Sequence, residues 1–161
     1  MIHNNSNESD PHILEIRSNM RHRALWLYYF YDEVKKRGLD EKIVTDAIAA
    51  CGHFQGKNNY PQSDDLADFV AYFTNETDAK VFEMKHTADD TTFKVEFHHC
   101  PLVDAWMRVT DDEALLGTLC DIAMAGDRAI IEEYPGWTFE LGNTIAKGGM
   151  HCDLCVRKNS G

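Results

Sequence analysis

The chain predicts an α+β domain, with N-terminal helices followed by an antiparallel sheet of about four or five strands that a helical segment interrupts. Three observations carry this expectation: apolar residues recur at helical spacing as far as Phe73, alternate with period two from Ala79, and return to helical spacing between residues 103 and 132. With 161 residues, 43% of them hydrophobic, the chain fits one domain that buries a core without disulfides or a metal. Residues 12–161 are expected to form that domain. Residues 1–11 are polar, rich in Asn and Ser and closed by Pro11, and read as a mobile arm.

Ile13, Ile16, Met20, Leu27, Tyr31 and Val34 give the first helix its stripe, which Leu25, Trp26, Tyr28 and Phe30 widen, and Gly38 is its stop. The aromatic run is read as helix core, with an apolar ligand pocket as the other use of the same residues. Asp40 is the expected N-cap of a second helix, in which Val44, Ala47, Ile48 and Cys51 share one face before Gly52 ends it. Cys51 is thereby placed on the core stripe. A turn-rich loop follows, and Ser63 opens a third helix through Leu66, Phe69, Val70 and Phe73. Next, "AKVFEMKHT" and "TTFKVEFHHC" read as a hairpin with Val81, Phe93, Val95 and Phe97 facing inward. After the second helical stretch and the Pro135-Gly136 break, "WTFELGNTIAKGGMHCDLCVRK" reads as two more strands joined around residues 147–149.

Charge and composition narrow the function. A formal charge of −11 opposes binding to phosphate backbones or anionic membranes, since such affinity rests on Lys and Arg. The partner expected is a small molecule, and association into a homo-oligomer is left open. No apolar run approaches ~18 residues and the start of the chain lacks the basic and apolar parts of a leader, so a soluble cytoplasmic protein is expected. In a reducing compartment the five cysteines are free thiols, metal ligands or nucleophiles, not a disulfide framework.

Three segments concentrate candidate chemistry. In "FHHCPLVDAW" the strand alternation puts Lys94, Glu96, His98 and Cys100 on one face and His99 on the other, so Glu96, His98 and Cys100 can look into one cavity. A lone cysteine there is more often small core filling. In "LLGTLCDIAMAGD" Cys120, Met124 and Asp127 share a helical face, and a carboxylate there must lie at the surface end of the helix or in a site. Asp121 points elsewhere. In "GGMHCDLC" a strand sends Cys152 and Cys155 to opposite faces, so the C-x-x-C cannot hold one ion without a bulge, and with no second C-x-x-C a zinc ribbon is excluded. Cys100, Cys120 and Cys152, with Glu96, His98, Asp127 and His151 as helpers, suffice for a tetrahedral zinc site or for an activated thiol. Lys94, Arg108, Arg128 and Lys147 are the cations near in sequence for an anionic substrate.

The order "HCPLVDAW", "LLGTLCDIAMAGD", a Pro-Gly break and "FELGNTIAKGGMHCDLCVRK", preceded by a helix-rich half with "CGHFQG", resembles the L-2-amino-thiazoline-4-carboxylic acid hydrolase family. The resemblance implies hydrolysis of a cyclic C=N unit, opening the thiazoline carboxylate to an N-carbamoyl amino acid. It implies site positions at Cys100, Cys120, Asp127 and Cys152. On this reading Cys100, Asp127 and His98 are catalytic, and Cys100, Cys120, Cys152 and Glu96 are the metal ligands if zinc assists. The chain departs from the pattern at Gly149, where an Asp is expected, and adds His151 and Cys155. Its end is also similar to the 4-vinyl-reductase-like domain, which implies the rival reading of a non-catalytic, zinc-containing sensor module for small molecules.

Overall fold

Side-chain caps set where most of the helices begin in the computed structural model, which describes residues 1–159. Asp10 accepts from the His12 amide and Pro11 fills the first turn of α1 (Pro11–Lys36). Asp65 caps α3 (Leu66–Phe73), Asn75 caps α4 (Glu76–Val81), and Asp112 accepts from the Ala114 and Leu115 amides at the start of α6 (Glu113–Glu132). Between them lie α2 (Lys42–Asn58) and α5 (Pro101–Trp106). The strands are β1 (Met84–Ala88), β2 (Thr92–Phe97), β3 (Trp137–Leu141) and β4 (Cys152–Lys158).

The four strands form one antiparallel sheet in the order β1-β2-β4-β3, so the fold is α+β. Phe93, Val95 and Phe97 of β2 and Cys152, Leu154 and Val156 of β4 are buried, whereas Lys94, Glu96, Asp153, Cys155 and Arg157 lie on the outward face. Helices therefore cover one side of the sheet. Phe69 of α3 meets Phe93, Tyr134 and Trp137 edge-on with centroids 5.5–6.2 Å apart, which anchors the helical layer on the strands. The Trp106 indole donates to the Ala24 carbonyl at 2.9 Å and ties α5 to α1. No helix is long and apolar enough to cross a membrane among the described residues.

Several local expectations change. The second helix does not stop at Gly52: it continues to Asn58, and its glycines are contact points instead of terminators. A Cβ on Gly52 would stand 2.2 Å from the Gly126 carbonyl oxygen of α6, so only hydrogen allows the two backbones to approach this closely. Because α2 turns that glycine face to α6, Cys51 is exposed and not on the core stripe. Val81 is buried as expected but belongs to α4, a helix that the period-two reading of "AKVF" concealed. Trp26 and Phe30 of the aromatic run are 61% and 64% exposed, while Tyr31 and Leu27 face the core.

The polar arm lies along the fold and is bound to it. Ile2 is buried, Ser6 bonds Glu83, and the guanidinium of Arg17, 2% exposed, donates to Ser6 Oγ at 2.7 Å, the Val81 carbonyl at 2.9 Å and the Lys80 carbonyl at 3.0 Å. A buried charge satisfied this fully avoids the desolvation penalty that an unpaired one would carry. Arg17 thus joins the arm, α1 and the end of α4.

Candidate functional site

Beyond Phe97 the chain leaves the sheet, and strand alternation ends with it. Cys100 keeps an extended backbone (φ −130°, ψ 110°), as a residue before proline does, and Pro101 starts α5. The side chain of Asn4 accepts from the Cys100 amide and donates to the Cys100 carbonyl, both at 2.8 Å. These two bonds fix the peptide that carries the thiol. Nothing in the sequence marks Asn4 for this part, because it lies 96 residues away in a polar stretch.

Cys120 comes from the middle of α6 and Cys152 from the first residue of β4, 8% and 6% exposed respectively. The Ile145 amide donates to Cys152 Sγ at 3.3 Å, from a single 3-10 turn (Ile145–Lys147) that Gly148 closes at φ +85°. Burial pushes the Cys120 and Cys152 thiols up to about 12, and each is raised further by the proximity of Cys100. Thr144 lies beside Cys120, 2% exposed, its Oγ1 without a hydrogen-bond partner of ordinary geometry among the described residues.

The Cys100 thiol is likewise raised, first by burial and in smaller part by Asp127, while the Val103 and Leu102 amides and the Arg23 guanidinium oppose the shift. Asp127 is raised to about 6 by burial of its carboxyl, with Arg23 and Arg128 pulling the other way. The charges of Asp127 on α6 and of Arg23 on α1 thus both reach the Cys100 thiol at the start of α5. Asp127 also borders a narrow apolar pocket with Phe69, Phe73, Phe93 and Phe139. The pocket volume is about 10 Å³, room for a single water molecule.

The remaining candidates lie elsewhere. Glu96 and His98 do share a face, with His98 Nε2 2.8 Å from Glu96 Oε2, but that face is the outer one, and Cys100 has turned away from it. His151 joins them, its Nε2 3.8 Å from Glu96 Oε1 and 2.8 Å from Asp153 Oδ1. Among the described residues, Glu96, His98 and His151 are the set of metal-ligating side chains whose donor atoms fall within 4.8 Å of one another. The zinc set Cys100, Cys120, Cys152 and Glu96 is not gathered among the described residues: Glu96 lies on the outward face of the sheet and Cys152 on the buried one. His98 pairs with Glu96 and not with the Cys100 thiol, so the base expected beside Cys100 is absent from that position. His99 is buried with Nδ1 unpartnered among the described residues, and burial lowers its pKa. Cys155 faces outward opposite Lys94 and Glu140.

The cations expected from sequence are mostly engaged. Lys147 Nζ contacts Asp121 at 2.7 Å and Arg108 contacts Asp104 at 3.2 Å. Arg128 lies over the Phe139 ring at 5.7 Å, beside the pocket. Arg23, exposed on α1, is the cation whose field reaches both Cys100 and Asp127, and no sequence signal distinguished it from its neighbours.

Residues 17–156 match the family model of L-2-amino-thiazoline-4-carboxylic acid hydrolase. The chain belongs to that family. No curated protein matches the chain. Among solved structures it is similar to trafficking protein particle complex subunit 3 from Naegleria fowleri covalently bound to palmitic acid, with a TM-score of 0.59, 15% identity, and 88% of this chain and 96% of that chain covered. At that identity the likeness speaks to the fold, helices on one side of a short antiparallel sheet. The match to the L-2-amino-thiazoline-4-carboxylic acid hydrolase family runs from within α1 to within β4, and so includes Cys100, Cys120, Cys152 and Asp127.

Proposed function

We propose that the protein is a hydrolase of a cyclic amidine carrying a carboxylate, of the 2-amino-thiazoline-carboxylate type, with Cys100 as nucleophile, Asp127 as proton carrier and Arg23 as the carboxylate anchor. The observation that supports this reading is that the charges of Asp127 and Arg23 both reach the Cys100 thiol, in a family named for that hydrolysis. A carboxyl group raised to about 6 is partly ionised near neutral pH, which suits a group that must both take up and return a proton.

The neutral Cys100 thiol loses its proton to the Asp127 carboxylate as Sγ bonds to the amidine carbon and the C=N π pair moves onto nitrogen. That pair re-forms C=N as the ring carbon–sulfur bond breaks, and the departing substrate sulfur takes the proton from Asp127. Water, deprotonated by Asp127, adds to the carbon now attached to Cys100, and the C=N pair again moves onto nitrogen, which takes the remaining water proton. The oxygen pair then forms the C=O bond as the bond to Cys100 breaks, and Asp127 returns its proton to the thiolate, releasing the N-carbamoyl product. General acid–base help of this kind contributes roughly 10²–10⁴ in rate. The α5 amides of Leu102 and Val103 favour the transient thiolate at Cys100.

The second reading, a non-catalytic binding module, is supported by the apolar pocket beside Asp127 and by the similar fold of trafficking protein particle complex subunit 3, covalently bound to palmitic acid. A pocket of about 10 Å³ must open widely to take an acyl chain. The test is a mass-spectrometric assay of cyclic amidines, thiazolines and lactams with wild-type, Cys100→Ser and Asp127→Asn protein. Turnover lost in both variants is expected. No turnover across the set, with native mass spectrometry finding a retained acyl chain, would transfer the protein to the binding-module reading.

A further inference from the structure

On the sheet face opposite the thiols, β2 and β4 bring four side chains together. Their antiparallel register sets Glu96 directly opposite Asp153. Two carboxylates in that relation repel, in a chain whose formal charge is already −11. The fold nevertheless keeps them there and adds two imidazoles: His98 follows β2, His151 precedes β4, and their rings lie 5.2 Å apart at 35°. His98 Nε2 contacts Glu96 at 2.8 Å and His151 Nε2 contacts Asp153 at 2.8 Å. Asn143 Nδ2 donates to the other oxygen of Asp153 at 3.3 Å and holds it in place.

We propose that Glu96, His98 and His151 form a site for a divalent transition-metal ion of the zinc type, with His151 Nε2 exchanging its contact to Asp153 for the ion. Two imidazoles and one carboxylate with a fourth position left to water is a donor set that zinc accepts, whereas magnesium and calcium prefer oxygen alone. Tetrahedral zinc with bonds of about 2.0–2.1 Å needs its ligand atoms roughly 3.4 Å apart. The three donor atoms already lie within 4.8 Å of one another, so small rotations of half-exposed side chains close the site. The ion would take up the role that imidazole protons now play between the carboxylates. Lys85, the β1 partner of Glu96, is the cation nearest in register, and Glu96 stands between it and Asp153. The site is distinct from the thiol cluster because the sheet lies between them.

The experiment titrates chelator-stripped, tag-free protein with zinc by calorimetry and with cobalt by absorption spectroscopy. One zinc per chain is expected, lost in His98→Ala and in His151→Ala and retained in Asp153→Asn, because Asp153 holds the same His151 Nε2 that the ion would take. The cobalt complex is expected to show a ligand-field spectrum without a thiolate charge-transfer band. These side chains are half-exposed, so circular dichroism is expected to be unchanged in each variant. Absence of saturable zinc binding, binding that persists in both histidine variants, or a thiolate band would overturn the proposal.

Discussion

The Asn4 carboxamide makes two hydrogen bonds of 2.8 Å to the backbone of Cys100, closing a contact between residues 96 positions apart. The arm therefore supplies part of the frame around the thiol. Asn4→Ala leaves a part-buried amide and carbonyl unpaired, and the expected loss is about 1–3 kcal/mol in chemical denaturation. Asn4→Asp keeps the acceptor for the Cys100 amide and loses the donor to its carbonyl, so an intermediate midpoint is expected.

Gly52→Ala is expected to be destabilising by about 1–3 kcal/mol, because its new methyl would meet the Gly126 carbonyl oxygen at 2.2 Å and force α2 and α6 apart. Gly126→Ala is the milder change, since its Cβ meets Ile48 Cγ2 at an ordinary 3.4 Å. Equal midpoints for the two variants in thermal unfolding would contradict the close backbone contact.

Asp127 gives the stability curve a defined sign. Its folded-state pKa, about 6, exceeds the ordinary 3.8, so the native state binds the proton more tightly than the unfolded chain does. Stability from this group is complete below about pH 4 and is lost as pH rises through about 6, at a cost of roughly 3 kcal/mol by neutrality. Asp127→Asn should accordingly raise stability at pH 7.5 and leave it nearly unchanged at pH 4 in urea titrations. In the wild-type protein, turnover that depends on ionised Asp127 should rise through about pH 6.

Thiol reactivity should follow exposure and pKa. At pH 8 an alkylating reagent is expected to label Cys51 first, with Cys120 and Cys152, buried and raised to about 12, reacting only after denaturation. Peptide mass mapping over time checks the order. Early labelling of Cys120 would place that thiol outside the core.

The strand alternation around Lys94, Glu96 and His98 was legible because period two is a local rule, and the same rule sent Cys152 inward and Cys155 outward. It failed at Cys100, where Pro101 ends the strand geometry and the next turn redirects the side chain. Helical spacing placed Asp127 on the Cys120 face, yet it could not show that Gly52 serves the α2–α6 contact, since a glycine at a helix end and one at a helix crossing look alike in sequence. Likewise Val81 at 0% exposure satisfies a strand or a helix equally, and only the Asn75 cap decides for the helix. Asn4 and Arg23 depend on tertiary proximity alone.

The interlocked backbones at Gly52 and Gly126 make α2 and α6 a stiff pair, which bears on how anything reaches the carboxylate at residue 127. Of that pair, α6 lines the pocket with Asp127, Ile130 and Ile131, whereas Phe69 and Phe73 line it from a helix of eight residues. Phe69 is itself seated against Phe93, Tyr134 and Trp137, so the space beside this carboxylate is closed by aromatic rings shared between α3 and the sheet.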